Sequence, residues 1–306
     1  MNILITGGLG HIGSFLLNNF KTKKNTNFYI IDNLLTERYC TLFNLKKKIN
    51  YKFFKLDVSK EDITKLVKKS DVILHLAAIT NAEGSFKIKD RVFNNNFQST
   101  KKIADLCAKF DKPIILFSST SVYGPIKKHE FLDENVPYRE LKPQSPYAEC
   151  KIKEEKYLKS LKNKKFKFVI LRLGTIFGVS PGMRFHTAVN KFCWQAANNQ
   201  EISVWKNAYN KYRPYLDLKD LNRFLEFLVY EKKYENQIVN LVTKNFTVQQ
   251  VLKDIKKIKK IKIKYVKSKI LNQDSYRVKS LYLIKNNFLM KGKLFSSIKQ
   301  TISILS

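Results

Sequence analysis

The chain has 306 residues, 44% of them hydrophobic, which is enough to bury a large core and excludes a disordered protein. Its formal net charge of +33 suggests a polyanionic partner, but only eight of the 58 basic residues are arginine and the lysines run from end to end. Lys, Asn, Ile, Phe and Tyr, all abundant here, are the residues of A/T-rich codons, so the charge reads as a solvated basic surface and no specific nucleic-acid partner is expected.

No apolar run approaches the roughly 20 residues of a membrane span, and the N-terminus enters a strand pattern directly, with no signal peptide. Cys40, Cys107, Cys150 and Cys193 are far apart and form no C-x-x-C pair. The expectation is free thiols in a reducing cytoplasm. The four histidines, His11, His75, His129 and His186, have no metal-ligand spacing, and no metal is expected.

In chain order, Asn2 to Thr6 is a short apolar run, followed by Gly7-Gly8-Leu9-Gly10-His11-Ile12-Gly13 and an amphipathic stretch to about Phe20. Gly8, Gly10 and Gly13 satisfy G-x-G-x-x-G, and Gly7, Gly10 and Gly13 satisfy G-x-x-G-x-x-G. Between a strand and a helix, such glycines make a tight turn and bring the helix N-terminus against a pyrophosphate. The next strand, Phe28 to Ile31, ends at Asp32, placed to accept hydrogen bonds from an adenosine ribose and to repel a 2'-phosphate, which favours NAD over NADP.

Apolar strands are expected at Tyr51 to Leu56, Val72 to Leu76 and Ile114 to Phe117, with helices between them, hence a parallel, doubly wound sheet. Asp57 ends the third strand and is placed to meet an adenine amino group; Leu76-Ala77-Ala78 ends the fourth and leaves room for a cofactor. Each is also an ordinary way to end a strand, and their common place at carboxyl ends is what a ligand crevice requires. The fifth strand runs into Ser118-Ser119-Thr120-Ser121-Val122-Tyr123-Gly124, where Ser119 is the candidate for holding a substrate oxygen.

After an irregular stretch from Pro125 to Pro146, a helix is predicted from about Tyr147 to Lys162, opening on Tyr147-Ala148-Glu149-Cys150-Lys151. A tyrosine and a lysine four apart share a helical face, and the ammonium there can lower the phenol pKa enough for proton transfer. The spacing also occurs at Tyr51/Lys55, Tyr123/Lys127, Tyr138/Lys142, Tyr215/Lys219 and Tyr265/Lys269, so it selects nothing alone. Further on, Phe168 to Leu173 reads as a strand, His186 to Ala197 as a helix, Ile202 to Trp205 as a strand, and Ile238 to Leu241 as a strand returning to the main sheet. Lys253 to Lys269 alternates lysine with isoleucine and valine, as in a helix and a strand with one solvated face.

Taken in order, Thr6 to Gly13, Asp32, Asp57-Val58, His75 to Ala78, Asn96, Ser119 with Val122-Tyr123-Gly124, Pro146-Tyr147 with Lys151, Leu171-Arg172, and Arg213-Pro214-Tyr215 with Asp217 and Asp220 carry a resemblance over nearly the whole chain. The chain resembles the extended short-chain dehydrogenase/reductase superfamily, in particular its sugar-nucleotide epimerases and dehydratases. The resemblance implies a Rossmann-like α/β domain over 1–175, with about 218–242 added. A smaller, intertwined substrate domain would be formed by 176–217 and 243–306.

It selects Tyr147 among the six tyrosines and makes Ser119, Tyr147 and Lys151 catalytic. It implies NAD held by Gly7, Gly10, His11, Ile12, Gly13, Asp32, Asn33, Asp57, Val58, Leu76, Ala77, Ala78, Asn96, Tyr147 and Lys151. A nucleoside-diphosphate sugar would meet Thr80, Thr120, Thr175, Arg184, Arg213 and Arg277, with Arg213 on the diphosphate. A homodimer is implied through the helices around Arg91 to Phe110 and Tyr147 to Lys162.

The implied reaction is epimerisation, usually at C4, through a transient keto sugar. In the dehydratases an Asp-Glu pair follows the strand-end hydroxyl; Thr120 and Ser121 stand there in this chain, which argues against dehydration. Cys150 replaces a common serine, and Gly174-Thr175 replaces a Phe-Asn type pair. The alternatives are an NAD(P)H-dependent 4-keto-sugar-nucleotide reductase and a non-catalytic nucleotide-sensing or nucleic-acid-binding protein on the same fold.

Overall fold

The computed structural model describes residues 1–125, 130–161, 165–267 and 275–306. His129, Lys127, Lys162 and Lys269, which figure in the sequence reading, lie outside the described residues.

The first half runs β1 (Asn2–Thr6), α1 (His11–Asn19), β2 (Asn27–Asp32), β3 (Asn50–Lys55), α2 (Thr64–Lys69), β4 (Val72–His75), α3 (Lys89–Val92), α4 (Gln98–Lys109) and β5 (Ile114–Ser119). The second half runs α5 (Pro146–Ser160), β6 (Phe168–Leu173), β7 (Thr175–Phe177), α6 (Ala188–Ala197), β8 (Ile202–Trp205), β9 (Tyr212–Asp217), α7 (Leu218–Tyr230), β10 (Gln237–Leu241), β11 (Lys244–Thr247), α8 (Val248–Lys256), β12 (Ile263–Val266), α9 (Leu281–Lys285) and α10 (Leu294–Leu305).

Seven strands form one parallel sheet in the order β10-β6-β5-β4-β1-β2-β3. Such strands are buried on both faces, which is why they read as apolar runs. Ile3, Ile5, Ile30, Leu74 and Ile115 face one layer, packed on α1 and α7, while Leu4, Ile31, Ile73 and Leu116 face the other, packed on α2, α4 and α5. The strand order reverses between β1 and β4, and a doubly wound sheet opens its ligand crevice at that point.

A second apolar core gathers Phe177, Val189, Cys193, Ile202, Tyr215, Val251 and Ile298. Around it lie a three-stranded sheet in the order β11-β9-β7 and the pair β12-β8. The chain enters this region after β6, returns to the main sheet through α7 and β10, and leaves it again, so the two cores are interleaved in sequence. Between α3 and α4 the helix loosens into a π segment, Phe93–Phe97. Such single turns occur often at functional sites.

Candidate active site

At the switch point the structure opens a cavity of about 370 Å³. The glycine turn forms its floor. Gly7 has φ +65°, and a Cβ there would lie 2.7 Å from the Ala77 Cα, so β1 and the segment after β4 touch backbone to backbone only because position 7 is glycine. Gly10, His11, Ile12 and Gly13 line the cavity at the start of α1, whose free N–H groups suit a phosphate.

Asp32, Asn33, Asp57 and Val58 line the cavity at the carboxyl ends of β2 and β3. The Asp32 carboxylate accepts from Leu9 N at 3.1 Å and Leu34 N at 2.9 Å, which ties the end of β2 to the glycine turn. Each oxygen keeps a free lone pair for a ribose hydroxyl. Asp57 accepts from Ser59 N at 2.9 Å and Ser59 Oγ at 2.6 Å. Partial burial opposes its charge, but these bonds prevail and hold its carboxyl below the usual range.

Leu76, Ala77, Ala78 and Thr80 form the wall after β4. Asn96, expected to touch the cofactor, does not line the cavity. It is fully buried in the π segment, where Oδ1 accepts from Ile79 N at 2.7 Å and Nδ2 donates to Ile79 O at 2.9 Å. Its place is behind that wall, bracing it.

The opposite wall comes from the loop after β7. Gly182 lies against the glycine turn so closely that a Cβ would sit 2.2 Å from Leu9 O. Gly182 N donates to Ser14 Oγ at 2.9 Å, Ser180 Oγ donates to His11 O at 2.8 Å, and His11 Nε2 is 2.8 Å from Gly178 O. Burial first, then nearby guanidinium charge, pushes His11 down to about 3, so the neutral ring donates to that carbonyl. This seam delivers Arg184 and His186 to the cavity, where Arg38 also stands. The Arg184 Nε is buried without a hydrogen-bond partner, and burial, with Arg38 adding to it, pushes its guanidinium down to about 10. Two guanidinium groups lining one cavity suit a ligand rich in phosphate.

Tyr147 and Lys151 lie beside this cavity without lining it. Ser145 caps α5 by accepting from Ala148 N at 3.2 Å, and Pro146 takes the first helical position. Tyr147 is 9% exposed and Lys151 3%, with Nζ 5.8 Å from the Tyr147 ring centroid. Lys151 Nζ donates to Glu154 Oε2 at 2.8 Å, and Glu154 is fully buried. Burial pushes the Tyr147 phenol above its ordinary value; Lys151 and Arg184 pull it down and Glu154 adds to the rise. The lysine therefore acts in the expected direction but is outweighed by desolvation, so the expectation of a lowered phenol is corrected for the protein alone.

Ser119 ends β5 half-buried, and its Oγ accepts from Ser121 N at 3.1 Å and Ser121 Oγ at 2.9 Å. Its own proton remains free for a ligand. Thr120 donates to Leu173 O at 3.1 Å and is buried, while Thr175 opens β7; neither lines the cavity. Arg213 and Arg277 are also apart from it. The Arg213 guanidinium lies 5.0 Å from the Tyr276 ring centroid, and Arg277 lies 4.1 Å from that of Tyr212 and pairs with Glu130 at 3.0 Å. Asp217 caps α7 at Lys219 N and accepts from Ser297 Oγ.

Sequence reasoning missed Arg38, Asn95, Ser99 and the Glu154 pairing. Arg38, six residues beyond Asp32, had only its sign as a signal.

A parallel sheet in this order, with a glycine turn and an acidic strand end at its switch point, defines a Rossmann-type dinucleotide-binding protein. Residues 3–242 match the model of the NAD dependent epimerase/dehydratase family, and the chain belongs to that family, whose cofactor is NAD. Among curated proteins it is 29% identical over 236 residues to a dTDP-D-glucose 4,6-dehydratase of Dictyostelium discoideum, covering 72% of this chain and 53% of that protein. It is 32% identical over 205 residues to an uncharacterised UDP-glucose epimerase of Bacillus subtilis, covering 64% and 63%. The chain thus spans between about half and two thirds of the length of these relatives.

Among solved structures, a UDP-glucuronic acid 4-epimerase from Bacillus cereus in complex with UDP-glucuronic acid and NAD superposes with TM-score 0.86 at 22% identity, covering 100% of this chain and 99% of that one. A Thermus thermophilus UDP-glucose 4-epimerase complex with NAD gives 0.84 at 20%, with coverage of 100% and 99%. These two establish the shared fold. No helix among the described residues is long and apolar enough to cross a membrane.

Proposed function

We propose that this chain is an NAD-dependent sugar-nucleotide epimerase acting at C4 of a nucleoside-diphosphate sugar through a transient keto intermediate. The observation that carries the reading is the Tyr147–Lys151 pair on α5, packed beside the cavity and within electrostatic reach of Arg184, which lines it.

Gly7, Gly10 and Gly13 would admit the pyrophosphate, Asp32 the adenosine ribose, and Asp57 the adenine edge. NAD, when bound, would supply the hydride acceptor and donor that a transient keto sugar requires. The Tyr147 phenolate oxygen takes the proton of the sugar hydroxyl and gives it back, with Ser119 Oγ–H donating to the same oxygen. Lys151 lowers the phenol and donates to the nicotinamide ribose. Lys151 and Arg184 oppose the desolvation that raises Tyr147 in the protein alone, and a cationic nicotinamide held there would add to them.

Arg184, Arg213 and Arg277 are the diphosphate candidates, with Thr80 and Thr175 facing the sugar. Thr120 and Ser121 carry hydroxyls where dehydration calls for an acid and a base, and the Thr120 hydroxyl is already engaged with Leu173 O, which supports epimerisation over loss of water. The substrate domain comprises 176–217 and 243–306, and the cofactor domain 1–175 with 218–242. A homodimer through α3, α4 and α5 and a cytoplasmic location complete the reading, the latter in keeping with four free cysteines.

The experiment is incubation with UDP-, GDP-, dTDP- and CDP-sugars, with products identified by NMR. An epimer formed without added cofactor is expected. Stoichiometric consumption of NADH with a keto sugar would instead make the chain a reductase.

A further inference from the structure

Buried polar groups outside the cavity form an ordered chain. Ala77 N is 3.3 Å from Thr6 Oγ1, Thr6 Oγ1 is 2.8 Å from His75 Nδ1, and His75 Nε2 is 3.1 Å from Thr100 Oγ1. Thr100 Oγ1 donates to Glu154 Oε2 at 3.0 Å, and Lys151 Nζ reaches the same oxygen.

For a neutral imidazole, one assignment of protons satisfies every link. Thr100 gives its hydroxyl proton to the carboxylate, so its oxygen accepts from His75 Nε2–H, and His75 Nδ1 then accepts from the Thr6 hydroxyl. Thr6 in turn accepts from Ala77 N–H. The links require a proton on His75 Nε2, and burial, with the Lys151 charge adding to it, pushes the ring down to about 3 and so keeps it neutral. The chain starts at the strand end just before the glycine turn and ends on the ammonium. Residues 147, 151 and 154 are spaced by four and three, so the phenol, the ammonium and the carboxylate share one face of α5.

An unpaired buried ammonium is costly, and one paired with a single carboxylate is fixed in place rather than hydrated. The groups facing Tyr147 and Glu154 are Lys151, Cys150, Arg184 and Thr100, with His75 behind Thr100 and within reach of the Lys151 charge. Glu154 is the carboxylate among them.

We propose that Glu154 is a positioning residue for the Tyr147–Lys151 pair. Its ion pair fixes the Lys151 ammonium and sets the charge felt by the phenol, while Thr100, His75 and Thr6 lock that arrangement to the cofactor turn. The inference rests on the epimerase reading for its consequence in turnover, but its physical core does not require a sugar.

The test is Glu154→Gln, which preserves shape and an accepting oxygen. In the NAD-bound protein without sugar, the Tyr147 titration is read as the tyrosinate absorbance lost on Tyr147→Phe in the same background. Removal of the carboxylate shifts the phenol to lower pH by about one unit. With a sugar nucleotide, kcat falls about tenfold with KM little changed, because the ammonium loses its fixed place. An unmoved titration would overturn the proposal and leave Glu154 a structural residue. Absence of turnover by the parent chain would count against the epimerase reading alone, with the titration still deciding this one.

If Glu154→Gln does not fold, nitrogen NMR of the unaltered protein decides. His75 is expected as the neutral Nε2–H tautomer down to about pH 4. The Nδ1–H tautomer would leave the link between Nε2 and the Thr100 oxygen without a proton, break the chain and overturn the proposal.

Discussion

Asp32 joins two tasks, because the residue whose carboxylate holds Leu9 N and Leu34 N also lines the cavity, where it is proposed to meet the adenosine ribose. Asp32→Ala removes an acceptor worth about 1.5–3 kcal/mol to each charged hydrogen bond. NAD affinity, measured by titration calorimetry, is therefore expected to fall at least about tenfold, with a lower melting temperature. This residue was legible in the sequence because its position after β2 follows from the glycine turn. Tyr147 was less so, since six Tyr-x-x-x-Lys pairs share the spacing. Position separates them: Tyr51 and Lys55 lie in β3, Tyr138 is hydrogen-bonded to Glu155, and Tyr123 is fully buried with its hydroxyl on Asn240. What no spacing could reveal is that the buried Lys151 ammonium is paired with a carboxylate. Glu154 sits next to Glu155, which pairs with Arg172; both are fully buried, and only the tertiary packing tells which acid faces which cation.

Among the elements, the strands of the main sheet were readable within a residue or two, because strands buried on both faces are plain apolar runs. The three-stranded sheet was not. β7 spans three residues, β11 four, and β9 carries Tyr212, Arg213 and Pro214, so none shows a clean alternation. The π segment was equally hidden, since Phe93-Asn94-Asn95-Asn96-Phe97 has no signature apart from its neighbours. The seam from Gly178 to Arg184 depends on tertiary contact, and its importance is testable. Gly182→Ala would place a methyl 2.2 Å from Leu9 O and force the loop off the glycine turn. A loss of about 1–3 kcal/mol in denaturant unfolding is expected, together with weaker NAD binding as Arg184 and His186 leave the cavity wall. An unchanged unfolding midpoint would show that the seam does not hold the loop.

At the scale of the molecule, buried neutral imidazoles make stability depend on pH. His11 and His75, each pushed down to about 3 by burial, take up no proton when folded, whereas in the unfolded chain they do so below about 6.5. Stability is therefore complete above that value and falls as pH drops from about 6.5 towards 5, by up to about 1.4 kcal/mol per unit for each ring. A urea midpoint that declines over this window in the parent, and less steeply in His75→Gln, is the expected result. The net charge of +33 adds self-repulsion and a general attraction to polyanions, and binding to duplex DNA is expected to vanish as salt rises to physiological strength.

The central claim concerns a single phenol oxygen within this fold. NMR of a C4-epimerisable sugar nucleotide incubated with the parent chain and with Tyr147→Phe, both shown to bind NAD, tests it most directly. The account predicts an epimer with the parent and none with the variant, at equal NAD affinity. Full turnover by Tyr147→Phe would contradict it.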